Sequence, residues 1–134
     1  MSFQLQPFRF SITALSVRLH HNPASAHLYK YAPSERVLEI ALEQKRRGAD
    51  IIKIVTAADT MEQQIENLRI TNLLKQELGA PFLFLSGGVS TLHRRLGMKL
   101  GCCMSLCVYE HDALSTSAQP LLSTMKMIRD DIDF

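Results

Sequence analysis

A lysine, Lys53, interrupts the run Ile51-Ile52-Lys53-Ile54-Val55. Among branched apolar neighbours an ammonium loses hydration, so its pKa falls, and a neutral amine can attack a carbonyl and form an imine. If the run is a strand, Ile51, Lys53 and Val55 share one face and Ile52 and Ile54 the other, so the amine either enters an interior or snorkels to solvent. Downstream, Arg94 and Arg95 in His93-Arg94-Arg95-Leu96-Gly97 offer guanidinium groups suited to bidentate carboxylate binding. Ser86-Gly87-Gly88 can form a tight turn or cradle a phosphate. Ser115 and Gln119 lie four apart before Pro120, and His20, His21 and His27 are candidate bases.

These residues need a scaffold, and from residue 34 the pattern alternates between two periods. Ser34 is a candidate helix cap before Val37, Leu38, Ala41 and Leu42, with Gly48 as the stop after Lys45, Arg46 and Arg47. Residues 51–55 then read as a buried parallel strand. Asp59 or Thr60 caps a second helix through Ile65, Leu68, Ile70, Leu73 and Leu74, with Gly79 as its stop before the strand Phe82-Leu83-Phe84-Leu85. A short helix through Leu92 to Leu96, a third apolar stretch over 100–109, and an amphipathic helix over 118–128 complete the series. Such alternation implies a parallel α/β sheet with right-handed crossovers, as a barrel or an open sheet. The first 32 residues are atypical: residues 8–19 carry strand-like runs, and 20–31 read as irregular.

The chain has 134 residues, 46% hydrophobic and 21% charged, which fits one globular domain over residues 1–134. Its formal charge is +2, with 7 basic and 3 acidic residues over 1–48 and 8 basic and 10 acidic over 49–134, too weak a field for nucleic acid. No apolar run is long enough to span a membrane and no export signal is evident. Cys102, Cys103 and Cys107 are odd in number and clustered, which speaks for a reducing cytoplasm rather than a disulfide framework. Cys103, Cys107 and His111 would share a face only on a helix, and their stretch reads as strand, so no metal is expected.

The segment Gly48-Ala49-Asp50-Ile51-Ile52-Lys53-Ile54-Val55 closely resembles the lysine-bearing strand of type I 3-dehydroquinate dehydratases. The similarity continues through Pro81, Gly87, Arg94, Gly97, Gly101 and residues 115–120, and so covers about residues 33–134. That resemblance implies the C-terminal half of a (β/α)₈ barrel, whose complete form takes roughly 250 residues. It implies Lys53 as the imine lysine, Arg94 in preference to Arg95 on the substrate carboxylate, Ser115 and Gln119 on a closing loop, and Ser86 among the substrate-binding residues. His27, six residues before Pro33, is the preferred catalytic histidine, with His20 and His21 as alternatives. The implied activity is cofactor-free dehydration of 3-dehydroquinate to 3-dehydroshikimate. A half-barrel would expose sheet edges, so self-association as a homodimer is expected. The competing readings are an inactive half-barrel acting as a binding or assembly module, and a phosphate-binding imine aldolase.

Overall fold

The computed structural model describes residues 25–89 and 91–133. The strand-like runs at 8–19, His20 and His21 lie outside the described residues. Three parallel strands, β1 (Ser25–His27), β2 (Ile52–Ala58) and β3 (Phe82–Gly88), form a sheet in the order β1-β2-β3. Helix α1 (Ser34–Arg46) connects β1 to β2, and α2 (Met61–Glu77) connects β2 to β3. Two further helices, α3 (Leu92–Leu96) and α4 (Leu122–Asp131), follow. The α/β class expected from the alternation is therefore present.

β1 corrects the irregular reading of residues 20–31. Its three residues are too few to show a period of two, and pairing defines the strand: Ser25, Ala26 and His27 stand opposite Lys53, Ile54 and Val55. The crossovers behave as their sequences suggest, with two adjustments. Pro33, not Ser34, holds the cap of α1 in an extended conformation, and its carbonyl accepts the Val37 N–H at 3.1 Å. Proline's missing N–H costs nothing outside the helix. Val37 and Ala41 reach the core while Leu42 stays exposed. In α2, Thr60 caps through the Gln63 N–H at 3.2 Å, as expected. Its buried face, however, begins with Gln64 and Asn67 and continues through Ile70, Thr71 and Leu74, leaving Ile65 exposed.

The apolar core gathers Val37 and Ala41 of α1, Ile52 and Ile54 of β2, Ile70 and Leu74 of α2, and Phe82 to Leu85 of β3. Along β2 buried and half-buried residues alternate, with Ile52, Ile54, Thr56 and Ala58 buried and Lys53, Val55 and Ala57 half-buried. The Gln44 amide, from α1, bonds both the N–H and the C=O of Lys53 at 3.2 and 3.3 Å.

The stretch 100–109 is not the further strand expected. The Cys103 N–H bonds the Phe82 carbonyl at 2.9 Å, so the next rung of a parallel ladder would reach the Phe84 carbonyl from Ser105. The Cys102 thiol takes that acceptor instead, at 3.6 Å. Pairing resumes only as a single parallel bridge between Val108 and Leu121. The last helix begins at Leu122 rather than 118, because Pro120 disfavours helical geometry at the preceding residue and Leu121 is held extended in that bridge.

Two glycines separate backbone freedom from space. Gly48 ends α1 at φ +85° with no atom near its would-be Cβ, whereas at Gly88, φ +96°, a Cβ would collide with the Ala58 carbonyl across the β2–β3 pair. Gly48→Ala should cost about 1 kcal/mol, the strain of a left-handed alanine. Gly88→Ala should cost at least about 2 kcal/mol, since strand separation is added to strain. Urea unfolding of both variants measures the difference; equal costs would mean that β2 and β3 do not approach closely at their ends.

Candidate active site

The strand register collects the chemistry. Residues opposite one another in a parallel pair share a face, so Lys53 of β2 lies with Ser25 and Leu83, and two residues on, Val55 lies with His27 and Leu85. Lys53 and His27 thus project from one face of neighbouring strands. Burial lowers the Lys53 pKa, and the Arg94 charge lowers it further. Burial also lowers the pKa of His27, followed by the charge of Lys53. Both shifts enlarge the fraction of neutral, nucleophilic or basic form near neutral pH.

Arg94 approaches the sheet from α3, where its Nε–H donates to the Ser86 carbonyl at 3.0 Å. Burial draws its pKa down, though a guanidinium stays protonated. Neither Lys53 nor Arg94 has an ion-pair partner among the described residues. The Arg94 charge bears on Lys53 with no carboxylate paired to either, an arrangement that favours an anion beside them. Arg95, the competing arginine, bonds the Thr91 carbonyl of its own turn at 3.0 Å.

Ser86 takes a place the sequence does not reveal. It stands opposite Thr56, on the other face from Lys53. Its fully buried hydroxyl accepts from the Asn67 and Gln64 amides at 2.9 and 3.2 Å. What it offers Arg94 is its backbone carbonyl. Ser86-Gly87-Gly88 is the end of β3, paired with β2, rather than the tight turn expected, and close approach to Ala58 accounts for Gly88.

Among the described residues no hydrogen bond joins Ser115 or Gln119 to Lys53 or Arg94. They belong to a loop closed at its base by Val108 N–H to Pro120 C=O and Leu122 N–H to Val108 C=O, at 3.0 and 2.8 Å. Within it Ser115 Oγ accepts the Asp112 N–H at 2.8 Å, and Gln119 Oε1 accepts the Thr116 N–H at 2.8 Å. These are local turn bonds of the kind serine and glutamine readily make.

The polar face of α2 has one more partner. The backbone N–H of His93 donates to Gln64 Oε1 at 3.3 Å, and His93 Nε2 lies 2.7 Å from the Thr71 hydroxyl, which donates to the Asn67 carbonyl. A hydroxyl has one proton, so His93 supplies the Nε2–H, and its Nδ1 is buried without a partner. Burial, aided by the Arg94 charge, pushes the His93 pKa down to about 4. Gln64, Asn67, Thr71 and His93 were not legible as site residues, because each reads alone as an ordinary polar position and their partners lie 19 to 29 residues away.

A family model described as type I 3-dehydroquinase matches residues 22–131. The fold is similar to that of 3-dehydroquinate dehydratase from Geobacillus kaustophilus, with TM-score 0.70 and 23% identity over 79% of this chain and 41% of that one. The type I enzyme from Clostridium difficile, whose crystal contains covalently modified comenic acid, gives 0.69 and 18% over 79% and 42%. The dehydratase from Aquifex aeolicus gives 0.65 and 22% over 81% and 47%. The chain therefore spans less than half the length of these relatives, as a half-barrel does. Among curated proteins none matches.

The buried histidine yields a pH dependence. The folded chain resists protonating His93, whereas the unfolded chain takes up that proton near the ordinary value of 6.5. Stability from this group is complete above about pH 6.5 and falls as pH drops toward 4, by about 3 kcal/mol in all. Urea unfolding at about pH 7 and about pH 4.5 should show most of that loss in the unsubstituted chain and not in His93→Gln; equal acid sensitivity in both would assign it to the carboxylates.

Proposed function

Because the chain belongs to the type I 3-dehydroquinase family, we propose that Lys53 forms an imine with the ketone of 3-dehydroquinate while Arg94 holds its carboxylate. The observation that supports this most directly is the pair of cations, Lys53 and Arg94, which interact electrostatically and have no ion-pair partner among the described residues. A cyclic keto acid supplies what each needs: an electrophilic carbon for the amine and an anion for the guanidinium. Condensation expels water and leaves a protonated imine, which acidifies the adjacent C–H. His27, neutral and on the neighbouring strand, takes that proton. The electron pair moves toward the imine nitrogen and returns as the hydroxyl leaves with a proton, giving a second water. Hydrolysis then frees 3-dehydroshikimate and the amine, with no cofactor consumed.

A second reading has an observation of its own. Ser115 and Gln119 spend their hydrogen bonds within their loop, and the chain spans 41% to 47% of the solved relatives. A half-barrel so arranged captures a keto acid without turning it over, and acts in the cytoplasm as a binding or assembly module. Self-association belongs to either reading. β3 already has its Phe82 and Phe84 carbonyls occupied, so a second copy would join along β1, which pairs only with β2 among the described residues.

Borohydride reduction in the presence of 3-dehydroquinate should attach the substrate to Lys53, detected by mass and absent in Lys53→Ala. Arg94→Ala should raise the half-saturating concentration roughly tenfold to a hundredfold, as expected for loss of a charge-assisted pair. Dehydroshikimate formation by this chain should be slight, because proton transfer requires a base held rigidly in reach. Brisk turnover that depends on Lys53 would remove the binding-module reading; no adduct under any condition would remove the imine.

A further inference from the structure

Arg94 is carried by a helix of only five residues, and the cap residue of that helix, Thr91, makes no side-chain cap bond. The first N–H groups of such a helix find no partners within it, so another group must hold it in place. Gln64 does this from the opposite face of the sheet. Its Oε1 accepts the N–H of His93, the residue before Arg94, at 3.3 Å, and its Nε2 donates to Ser86 Oγ at 3.2 Å. Ser86 is the residue whose carbonyl receives Arg94 Nε at 3.0 Å. Gln64 is fully buried, so no water competes for either bond.

We infer that Gln64 is a positioning residue for Arg94, fixing at once the strand carbonyl that receives its Nε and the helix turn that presents it. The inference deepens the carboxylate-binding reading and rests on it for its purpose, though the clamp itself is a matter of geometry. With Nε committed to Ser86, and with no other hydrogen bond from Arg94 among the described residues, Nη1 and Nη2 remain for a carboxylate to meet end-on. Asn67, at 2.9 Å from Ser86 Oγ, shares one half of the clamp but has no bond to α3; Gln64 has both. An apolar side chain of similar volume fills the same space and provides neither bond.

The test reads Arg94 directly, by the exchange rate of its Nε–H in nitrogen-15 NMR, assigned with Arg94→Lys. In the intact chain this proton should exchange slowly, and in Gln64→Met at least roughly tenfold faster, the scale of one hydrogen bond lost. Gln64→Glu gives a built-in rescue: a carboxylic acid can donate to Ser86 and accept from His93, a carboxylate cannot donate. Its exchange rate relative to the unsubstituted chain should be close to one at low pH and rise once the buried acid ionises. Borohydride trapping with 3-dehydroquinate and with its methyl ester supplies the functional arm, in which Gln64→Met should lose most of the preference for the free acid. Exchange in Gln64→Met within about twofold of the unsubstituted chain, with an unchanged fold, overturns the clamp. If that variant does not fold, a flat pH profile in Gln64→Glu overturns it instead. Failure of all trapping while the exchange rates change as stated would remove the imine reading and leave the clamp standing.

Discussion

The in-register parallel pairing of β2 with β3 is the constraint on which the rest of the site depends. Opposed residues share a face, so one register fixes two surfaces. It puts Lys53 with Leu83 on one side, and Thr56 with Ser86 on the other. A slip by one residue would turn the lysine toward the helices and the serine toward its amine, exchanging an apolar core for a polar one. The β2–β3 contact at Ala58 and Gly88 closes that register at the C-terminal ends of the two strands.

The lysine is the clearest of those groups in sequence, since a charged residue inside a β-branched run is conspicuous and the run itself declares a buried strand. Arg94 is legible only through the family resemblance, which favours it over Arg95 by its spacing to Gly97 and Gly101. The structure adds a local reason, because Arg95 is used by its own turn. β1 escaped the sequence because three residues display no periodicity, and their conformation comes from the partner strand. The α2 face escaped for a different reason. Amphipathic patterns are read by assuming that glutamine and asparagine face water, and here Gln64, Asn67 and Thr71 are wholly buried. What allows this is the presence of Ser86 and His93 across the interface.

That buried polar patch divides α2 into two regimes. Toward its C-terminal end Ile70 and Leu74 contribute transfer free energy that scales with area and tolerates small rearrangements. Toward the N-terminal end stability depends on direction: each amide has a named acceptor, and the orphaned His93 Nδ1 and Asn67 Oδ1 show that matching is incomplete. The helix thus joins an adaptable contact to an unforgiving one. The unforgiving half is the one adjoining the arginine.

The Cys102 thiol on the Phe84 carbonyl also determines how the sheet ends. An edge strand with free carbonyls is a template on which any extended peptide can crystallise as the next strand. Here the vacant rung is filled by a sulfur whose own proton, held by burial with a pKa pushed up to about 11, remains in place throughout the physiological range. A weak donor suffices, since its task is occupancy rather than adhesion. The cysteine behaves as a chain terminator in the polymer sense, stopping lateral growth of the sheet at β3.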